Sequence, residues 1–535
     1  MNNQNNVYYN YAPSVAADPA RSETAAKPAP PRRPAREYSK AESVFAWLSV
    51  LFGYLFCRVN PVAENPFGGL IFVAVIFTVT LVVLKIMRKP LTVLSVAVAL
   101  SAIIVSLTFL FTANEFLYFI AYSYCIAAYL YFIYAATGNT VKKGFNDYIV
   151  ADFFKAMFVM PFASMGCMFK AMFSGKSRGK GKIMLKVLIG IGVAVIPTLM
   201  VFCLLSYDSD FMNLLGDIFD FNFENIFSHI LSLTFGVGLG LYLYGLFISS
   251  LDKKCENALC EKNCKAVFSK MRIAPAITVV ASVIPLMFLY IVFFISQWKY
   301  YVSAFTNVLP ENFSYADYAR KGFFELCIVS VINLFVIVNI VLLLKRNKKS
   351  SYVILRITAV AVSLATLVLI STAISKMFMY ISRYGLTQKR VFATWFMLFI
   401  AFVFIFICIR LFVRSFKPIA VAFVVGLLMF STLALPDADA FIAEYNVNAY
   451  LDGTLSNVDV DALEELEHSA IPSLVKLYRE IDRSADTDAK RIYFRVEKVL
   501  LNYADEFSAE DKNIFAFTIV DAKAQNALKE IEFIG

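Results

Sequence analysis

Long apolar runs separated by short polar and charged segments are the dominant pattern of this chain. A helix needs about 20 apolar residues to cross a bilayer core of about 30 Å. The pattern therefore predicts an all-α fold, a polytopic helical membrane protein with about eleven transmembrane helices. The first and last spans are short for a bilayer. If either one does not cross, one terminus lies on the other side of the membrane. The predicted spans cover residues 43–58, 67–87, 90–112, 115–137, 183–206, 226–249, 274–297, 322–344, 353–375, 391–413 and 419–435.

A further apolar segment, 146–173, differs from the spans because charged residues interrupt it. Asp152, Lys155 and Lys170 lie within it, and Pro161 lies near its middle. A charge at the centre of a bilayer costs about 2.5–3.5 kcal/mol. We therefore expect an interfacial helix on the cytoplasmic face and not another span.

More polar sequence flanks the apolar region at both ends. Residues 1–42 are rich in Asn, Ala, Pro and Tyr, a composition that cannot bury a core, so we expect a disordered cytoplasmic head. Residues 436–535 have apolar positions at helical spacing, with Asp459 placed to cap a helix and Pro472 suited to a first turn. This region predicts a small helical C-terminal extracytoplasmic domain, and residues 43–435 form the membrane bundle between the two.

The composition supports a membrane location. The chain has 535 residues, of which 59% are hydrophobic and 17% charged, and its mean hydropathy is +0.66. Soluble domains average about 45–50% apolar and about 25% charged residues. The apolar excess has no place on a water-exposed surface, which excludes a soluble globular enzyme.

The distribution of charge predicts the orientation. With the N-terminus in the cytoplasm, the inner loops hold 24 Lys and Arg residues and the outer loops hold 8. Basic residues concentrate in cytoplasmic loops, so we expect a multi-pass plasma-membrane protein with a cytoplasmic N-terminus and an extracytoplasmic C-terminus. Residues 436–535 carry 21 Asp and Glu against 10 Lys and Arg, which agrees with an outer tail. The basic residues lie in short loops, so nucleic acid is not an expected partner.

Few residues in the chain suggest chemistry. There are two His and nine Cys, and the one close cysteine group, Cys255, Cys260 and Cys264, lacks a fourth zinc ligand. We expect no metal and no other cofactor, and no catalytic residues are assigned.

Two similar segments place Pro197 and Pro285 in the middle of the fifth and seventh spans, and paired interrupted helices can mark a transporter site.

The outer face offers more candidate residues. The hairpin between the ninth and tenth spans carries basic residues on the side where they should be rare, so we expect it to dock against carboxylates of Asp208, Asp210, Asp317 or the acidic tail. Contact with anionic headgroups is the alternative. A turn at Gly385 is expected because glycine adopts positive φ. The candidates are Asp317, Tyr318, Arg320, Arg383, Tyr384, Gly385, Thr387, Arg390, Asp437 and Asn446.

Three segments resemble a known family. They are the stretch from Tyr315 to Leu326, the hairpin followed by Trp395, and the run after the last span from Pro436 to Pro472. They are similar to bacterial proteins catalogued as domain of unknown function four-one-five-three, with its relative four-one-seven-three. The resemblance covers roughly 180–535 and departs at Ser469-Ala470, where the family tends to have Asp-Ala. It implies a bacterial integral membrane protein and supplies no reaction.

Three functions remain open at this point. The first is a non-enzymatic interaction or sensing role in the bacterial envelope, through the outer face and the tail. The second is a secondary transporter with a site between the fifth and seventh helices. The third is a membrane enzyme acting on lipid or envelope precursors, although no nucleophile–base pair is visible. The expected partners are the lipid bilayer and either envelope proteins or anionic lipids.

Overall fold

A computed structural model of the chain describes residues 36–59, 65–142, 144–174, 223–253, 261–296, 323–346, 349–481, 487–509 and 513–531, with scattered positions from 190 to 207. Residues Met1–Tyr38 and Ser39–Gly535 form two separate units. In the first unit the guanidinium of Arg36 lies 5.2 Å from the ring centroid of Tyr38. The predicted head lies outside the described residues up to position 35.

The described residues of the second unit are helical, as predicted, and contain no β-strand, although one isolated bridge pairs Ala274 with Leu344. A π-helical segment covers Lys155–Val159, and 3-10 turns cover Glu467–Ala470 and Ile514–Ala516. The α-helices are α1 (Lys40–Arg58), α2 (Pro66–Ile86), α3 (Val93–Ser106), α4 (Thr108–Phe111), α5 (Glu115–Ala136), α6 (Ile149–Phe154), α7 (Cys167–Met172), α8 (Phe223–Leu251), α9 (Glu261–Met271), α10 (Ala276–Ser296), α11 (Phe323–Leu343), α12 (Lys349–Tyr384), α13 (Gln388–Phe412), α14 (Pro418–Ala434), α15 (Ala438–Leu451), α16 (Val460–Glu464), α17 (Ile471–Glu480), α18 (Thr487–Ala509) and α19 (Ile519–Leu528).

Nine helices in the described part of the chain are long and apolar enough to cross a membrane. They are α1, α2, α3 with α4, α5, α8, α10, α11, α12 and α13, and each overlaps a predicted span. The helix α12 continues to Tyr384, beyond the predicted end of its span at residue 375. The predicted span 183–206 lies largely outside the described residues. The last predicted span corresponds to α14, which reaches sufficient length only together with α15, across a 53° bend. Because α15 carries Asp439, Glu444 and Asn446, we treat it as the first helix of the tail.

The segment 146–173 folds into α6, the π-helical segment and α7, none of which has the length of a span. The expectation that its charges avoid burial is wrong for Asp152 and Lys155, which are 0% and 2% exposed. They are buried against protein and not lipid. The hydroxyl of Tyr134 donates to Asp152 Oδ1 at 3.0 Å, and the Val141 amide donates to the same oxygen at 2.9 Å. An interfacial position for this segment stays a prediction.

The spanning helices pack as two groups, α1–α8 and α9–α14. The tightest crossing joins α1 to α8 through glycines. A Cβ added to Gly53 would collide with the carbonyl oxygen of Gly236, and a Cβ on Gly240 would lie 3.0 Å from the Ser49 carbonyl oxygen. Small residues allow helix backbones to approach closely in membranes, so the glycines make this crossing possible.

The tail, α15–α19, packs on one end of both groups. Its helices share a buried core that includes Ile471, Leu474, Val496 and Val499. The tail contacts the start of α2 and the short helix α4. We call this end of the bundle the tail end. At the opposite end, Lys417 Nζ donates to the Phe145 carbonyl oxygen at 2.6 Å, which joins the two helix groups.

Candidate functional site

A buried polar junction joins the start of the tail to both helix groups. Asp439, in the first turn of α15, is 1% exposed. Its Oδ2 atom accepts hydrogen bonds from Asn114 Nδ2 at 2.8 Å and from Gln388 Nε2 at 3.1 Å. Asn114 caps α5 in the first group, where its Oδ1 accepts from the Leu117 amide at 3.0 Å. Gln388 begins α13 in the second group. One carboxylate oxygen therefore bridges three segments that are distant in sequence.

Asp437 fixes the bend that precedes the bridge. It is buried, it caps α15, and its φ of +60° lies in the left-handed region. Asp is among the few residues other than glycine that enter this region readily. Its Oδ1 atom accepts from the Ala440 amide at 3.4 Å and from the hydroxyl of Ser469 at 3.2 Å. Because Ser469 precedes α17, these bonds tie the bend to the body of the tail.

The junction is acidic and poorly solvated. Burial, followed by the nearby charges of Asp437 and Glu467, raises the pKa of Asp439 to about 6, although the donors Asn114 and Gln388 oppose the shift. Burial also raises the pKa of Asp437. The second carboxylate oxygen of Asp439, Oδ1, is buried and has no hydrogen-bond partner. Burial therefore makes the Asp439 carboxyl group easier to protonate than an ordinary aspartate.

The hairpin between α12 and α13 docks on the same helix of the tail. The Leu386 amide donates to Asn446 Oδ1 at 2.7 Å, and Asn446 Nδ2 donates to the Leu386 carbonyl oxygen at 2.9 Å. Gly385 has a φ of +72°, as the predicted turn requires, and a Cβ at this position would collide with Asn446 Oδ1. The hairpin and the tail are thus held by a paired amide–backbone contact.

The expected ion pair between this hairpin and the tail is wrong for the described tail residues. In that part of the tail no carboxylate lies within salt-bridge distance of Arg383 or Arg390. Arg390 Nη1 instead donates to the carbonyl oxygens of Tyr384, at 2.9 Å, and Gly385, and its guanidinium lies 4.1 Å from the centroid of the Tyr380 ring. The backbone and the ring thus provide the contacts that a carboxylate was expected to provide. The other predicted partners, Asp208, Asp210 and Asp317, lie outside the described residues.

The structure brings five of the sequence candidates to this junction. Thr387 caps α13, with its Oγ1 accepting from the Arg390 amide at 3.4 Å, and Gly385, Arg390, Asp437 and Asn446 make the contacts above. Two other candidates end α12: Arg383 has no described carboxylate partner, and Tyr384 is half exposed and packs on Tyr380. Asp317, Tyr318 and Arg320 lie outside the described residues.

The two proline candidates lie elsewhere. Pro197 and Pro285 are exposed. The helix α10 is continuous through Pro285, so the expected interruption is absent there. A proline removes one backbone hydrogen bond, but the remaining bonds of a long apolar helix can preserve it in a membrane.

The sequence pattern does not predict a role for Asn114, Gln388, Asp439 or Ser469 at this junction. The one available signal was the capping position of Asn114, directly before an acidic first turn. Next to the junction, His468 Nδ1 pairs with Asp521 Oδ1 at 2.7 Å. Burial lowers the pKa of His468, but its carboxylate neighbours outweigh that effect and raise it overall. Among the residues that the structure describes, no group of three or more His, Cys, Asp or Glu is placed to hold a metal ion.

The fold and the junction define a polytopic helical membrane protein with a docked helical tail. A family model described as "Domain of unknown function (DUF4153)" matches residues 99–477. The chain therefore belongs to this family, and the matched region contains every residue of the junction. The match confirms the first family resemblance and gives no support for its relative four-one-seven-three. No curated protein and no solved structure matches the chain.

Proposed function

We propose that this multi-pass protein has a non-enzymatic sensing or interaction role in the bacterial plasma membrane, in which the tail clamps the two helix groups together. The observation that carries the proposal is the bridge at Asp439, whose Oδ2 accepts from one side chain of each group. A hydrogen bond to a charged group contributes about 1.5–3 kcal/mol. Displacing the tail would release both bonds and loosen the tail end of the two groups, while the hydrogen bond from Lys417 to Phe145 still joins them at the opposite end.

The proposal places the tail outside the cytoplasm and the N-terminus inside. The loop charges support this orientation, because the inner loops hold threefold more Lys and Arg than the outer loops. The contacts of the tail agree with it, since Gly68, Asn114 and Leu386 all lie at or next to predicted outer loops. At the opposite end, Phe145 and Lys417 belong to predicted inner loops and contact each other.

The tail also has exposed apolar side chains that offer a binding surface for a partner. Ile514, Phe515 and Phe517 are 72%, 50% and 50% exposed on and beside one 3-10 turn. An envelope protein or the outer leaflet could bind this surface, and binding there would pull on a tail segment that already contacts the start of α2. The transporter and enzyme alternatives have no supporting observation among the described residues, and we do not propose them.

The clamp can be tested by measuring the distance between the two helix groups. Spin labels at the exposed positions Ile104 and Ile295, near the tail ends of α3 and α10, report that distance by pulsed electron resonance in nanodiscs. Asp439→Ala removes the bridge and should broaden the distance distribution. Glu444→Ala is the matched control, because Glu444 is an exposed acid on the same helix. An unchanged distribution for Asp439→Ala would contradict the clamp.

A further inference from the structure

A cavity of about 670 Å³ lies between α11, α12, α13 and α14, at the end of the bundle opposite the tail. Sites for small molecules have volumes of about 300–1,000 Å³, so this space can hold part of a lipid. Its walls are mainly apolar and include Ile337, Val403 and Leu411. Two further wall residues, Val338 and Ile419, are each 42% exposed, so the cavity meets the lipid-facing surface of the helices.

Four arginines line one part of this cavity: Arg346, Arg356, Arg410 and Arg414. None of them forms a salt bridge with a carboxylate of the described residues. Positive charge concentrated beside an apolar cavity without a protein counterion is a complementary surface for an anion that carries a hydrocarbon chain.

The guanidinium groups keep donors available for a ligand. Arg346 uses one donor for the Val341 carbonyl oxygen, at 2.7 Å, while its Nε atom is buried without a partner. Arg410 Nη1 donates to the carbonyl oxygens of Arg414 and Phe416. A guanidinium has five N–H donors, so these bonds leave most of them unused.

Aromatic rings and mutual repulsion characterise the rest of the cluster. Arg356 and Arg414 each lie 5.9 Å from a ring centroid, of Phe412 and Tyr352 respectively. Burial and the positive charges of Arg272 and Arg410 lower the pKa of Arg346, although Tyr352 opposes the shift. The cluster thus holds positive charges at mutual electrostatic cost, and a bound anion would relieve this cost.

We propose that this cavity binds an anionic phospholipid of the adjacent leaflet, with an acyl chain in the apolar part and the phosphate against the four arginines. Planar guanidinium groups suit phosphate because they donate two parallel hydrogen bonds. The site is separate from the tail junction, and its occupancy does not depend on the clamp. Basic pockets between spanning helices on the cytoplasmic side are a known setting for anionic headgroups.

Native mass spectrometry of the full chain in mild detergent tests the site, with phosphatidylglycerol and phosphatidylcholine of identical acyl chains as probes. The wild-type protein should bind phosphatidylglycerol at least tenfold more tightly than phosphatidylcholine. Arg346→Gln with Arg410→Gln should weaken that binding by about tenfold or more, because charge-assisted hydrogen bonds are lost. The control variant, Lys345→Gln with Lys349→Gln, removes the same charge from exposed positions outside the cavity. It should change the affinity for phosphatidylglycerol less than twofold.

A second variant separates the cavity from its charges. Ala422→Phe retains all four arginines and fills apolar space, so it should also weaken phosphatidylglycerol binding. Equal binding of the two lipids by the wild-type protein would overturn the proposal, as would equal effects of the arginine and lysine variants. Full binding of phosphatidylglycerol by Ala422→Phe would show that only the headgroup contacts the protein, and it would overturn the acyl-chain site. Displacement of the lipid by excess inorganic phosphate would assign the arginines to a soluble anion and would overturn the lipid site.

Discussion

Replacement of Gly385 by alanine tests how the hairpin is held on the tail. The added Cβ collides with Asn446 Oδ1, which also accepts the Leu386 amide, and the residue has a φ of +72°. The backbone strain alone costs about 1 kcal/mol. Loss of the two hydrogen bonds between Asn446 and Leu386, at about 1 kcal/mol each, adds about 2 kcal/mol. Gly385→Ala should therefore destabilise the docked tail by about 3 kcal/mol.

Gly453 provides a matched control because its φ is +73° and an added Cβ would have no neighbour within 4 Å. Gly453→Ala should incur only the backbone cost of about 1 kcal/mol. Hydrogen exchange in nanodiscs, read by mass spectrometry on peptides from residues 438–451, measures the opening of the tail. A difference of about 2 kcal/mol corresponds to roughly 30-fold faster exchange in Gly385→Ala than in Gly453→Ala. Equal exchange in the two variants would refute the role assigned to Asn446.

Two further predictions concern the acidic junction and the helix crossing. The docked tail should lose roughly 3 kcal/mol of stability as the pH rises from about 4 through about 6. The reason is that the pKa of Asp439 is higher in the folded protein than in the unfolded chain. Such a carboxyl group stabilises the fold while it is protonated and loses that contribution as it ionises. Asp439→Asn should flatten this dependence in hydrogen-exchange measurements, and a tail that tightens with rising pH would contradict it. Gly53→Ala, whose Cβ meets the carbonyl oxygen of Gly236, should cost about 1–3 kcal/mol and lower the thermal midpoint. Gly238→Ala, which has nothing within 4 Å, should leave the midpoint unchanged, and equal midpoints for the two variants would exclude the tight crossing.

The spans could be predicted because the bilayer imposes both length and composition on them. Nine helices of the described chain are apolar over the full length of a span, and such runs are visible without any tertiary information. The turn at Gly385 was also predictable, since a Tyr-Gly-Leu-Thr sequence between two long helices requires a residue that tolerates positive φ.

The junction itself could not be predicted from residue types. Asp439 is one of 21 acidic residues in the tail region, and its sequence neighbours give no sign that it is buried. Its role depends on Asn114 and Gln388, which lie 325 and 51 positions away along the chain. The count of loop charges predicts a salt bridge for the hairpin, whereas in the structure Arg390 contacts carbonyl oxygens and the Tyr380 ring. Charge counts contain no information on such short-range geometry.

A cysteine pair between the bundle and the tail tests most directly the proposal that the docked tail lies outside the cytoplasm. A Cβ built on Gly68 lies 3.6 Å from the Cβ of Phe515, within the range of about 3.5–4.5 Å found in disulfides. Disulfides persist outside the cytoplasm and are rare within it. Gly68→Cys with Phe515→Cys should therefore yield a linked peptide by mass spectrometry of intact cells without added oxidant, while each single variant should not. Two free thiols that react with a maleimide only after the membrane is permeabilised would contradict the docked outer tail.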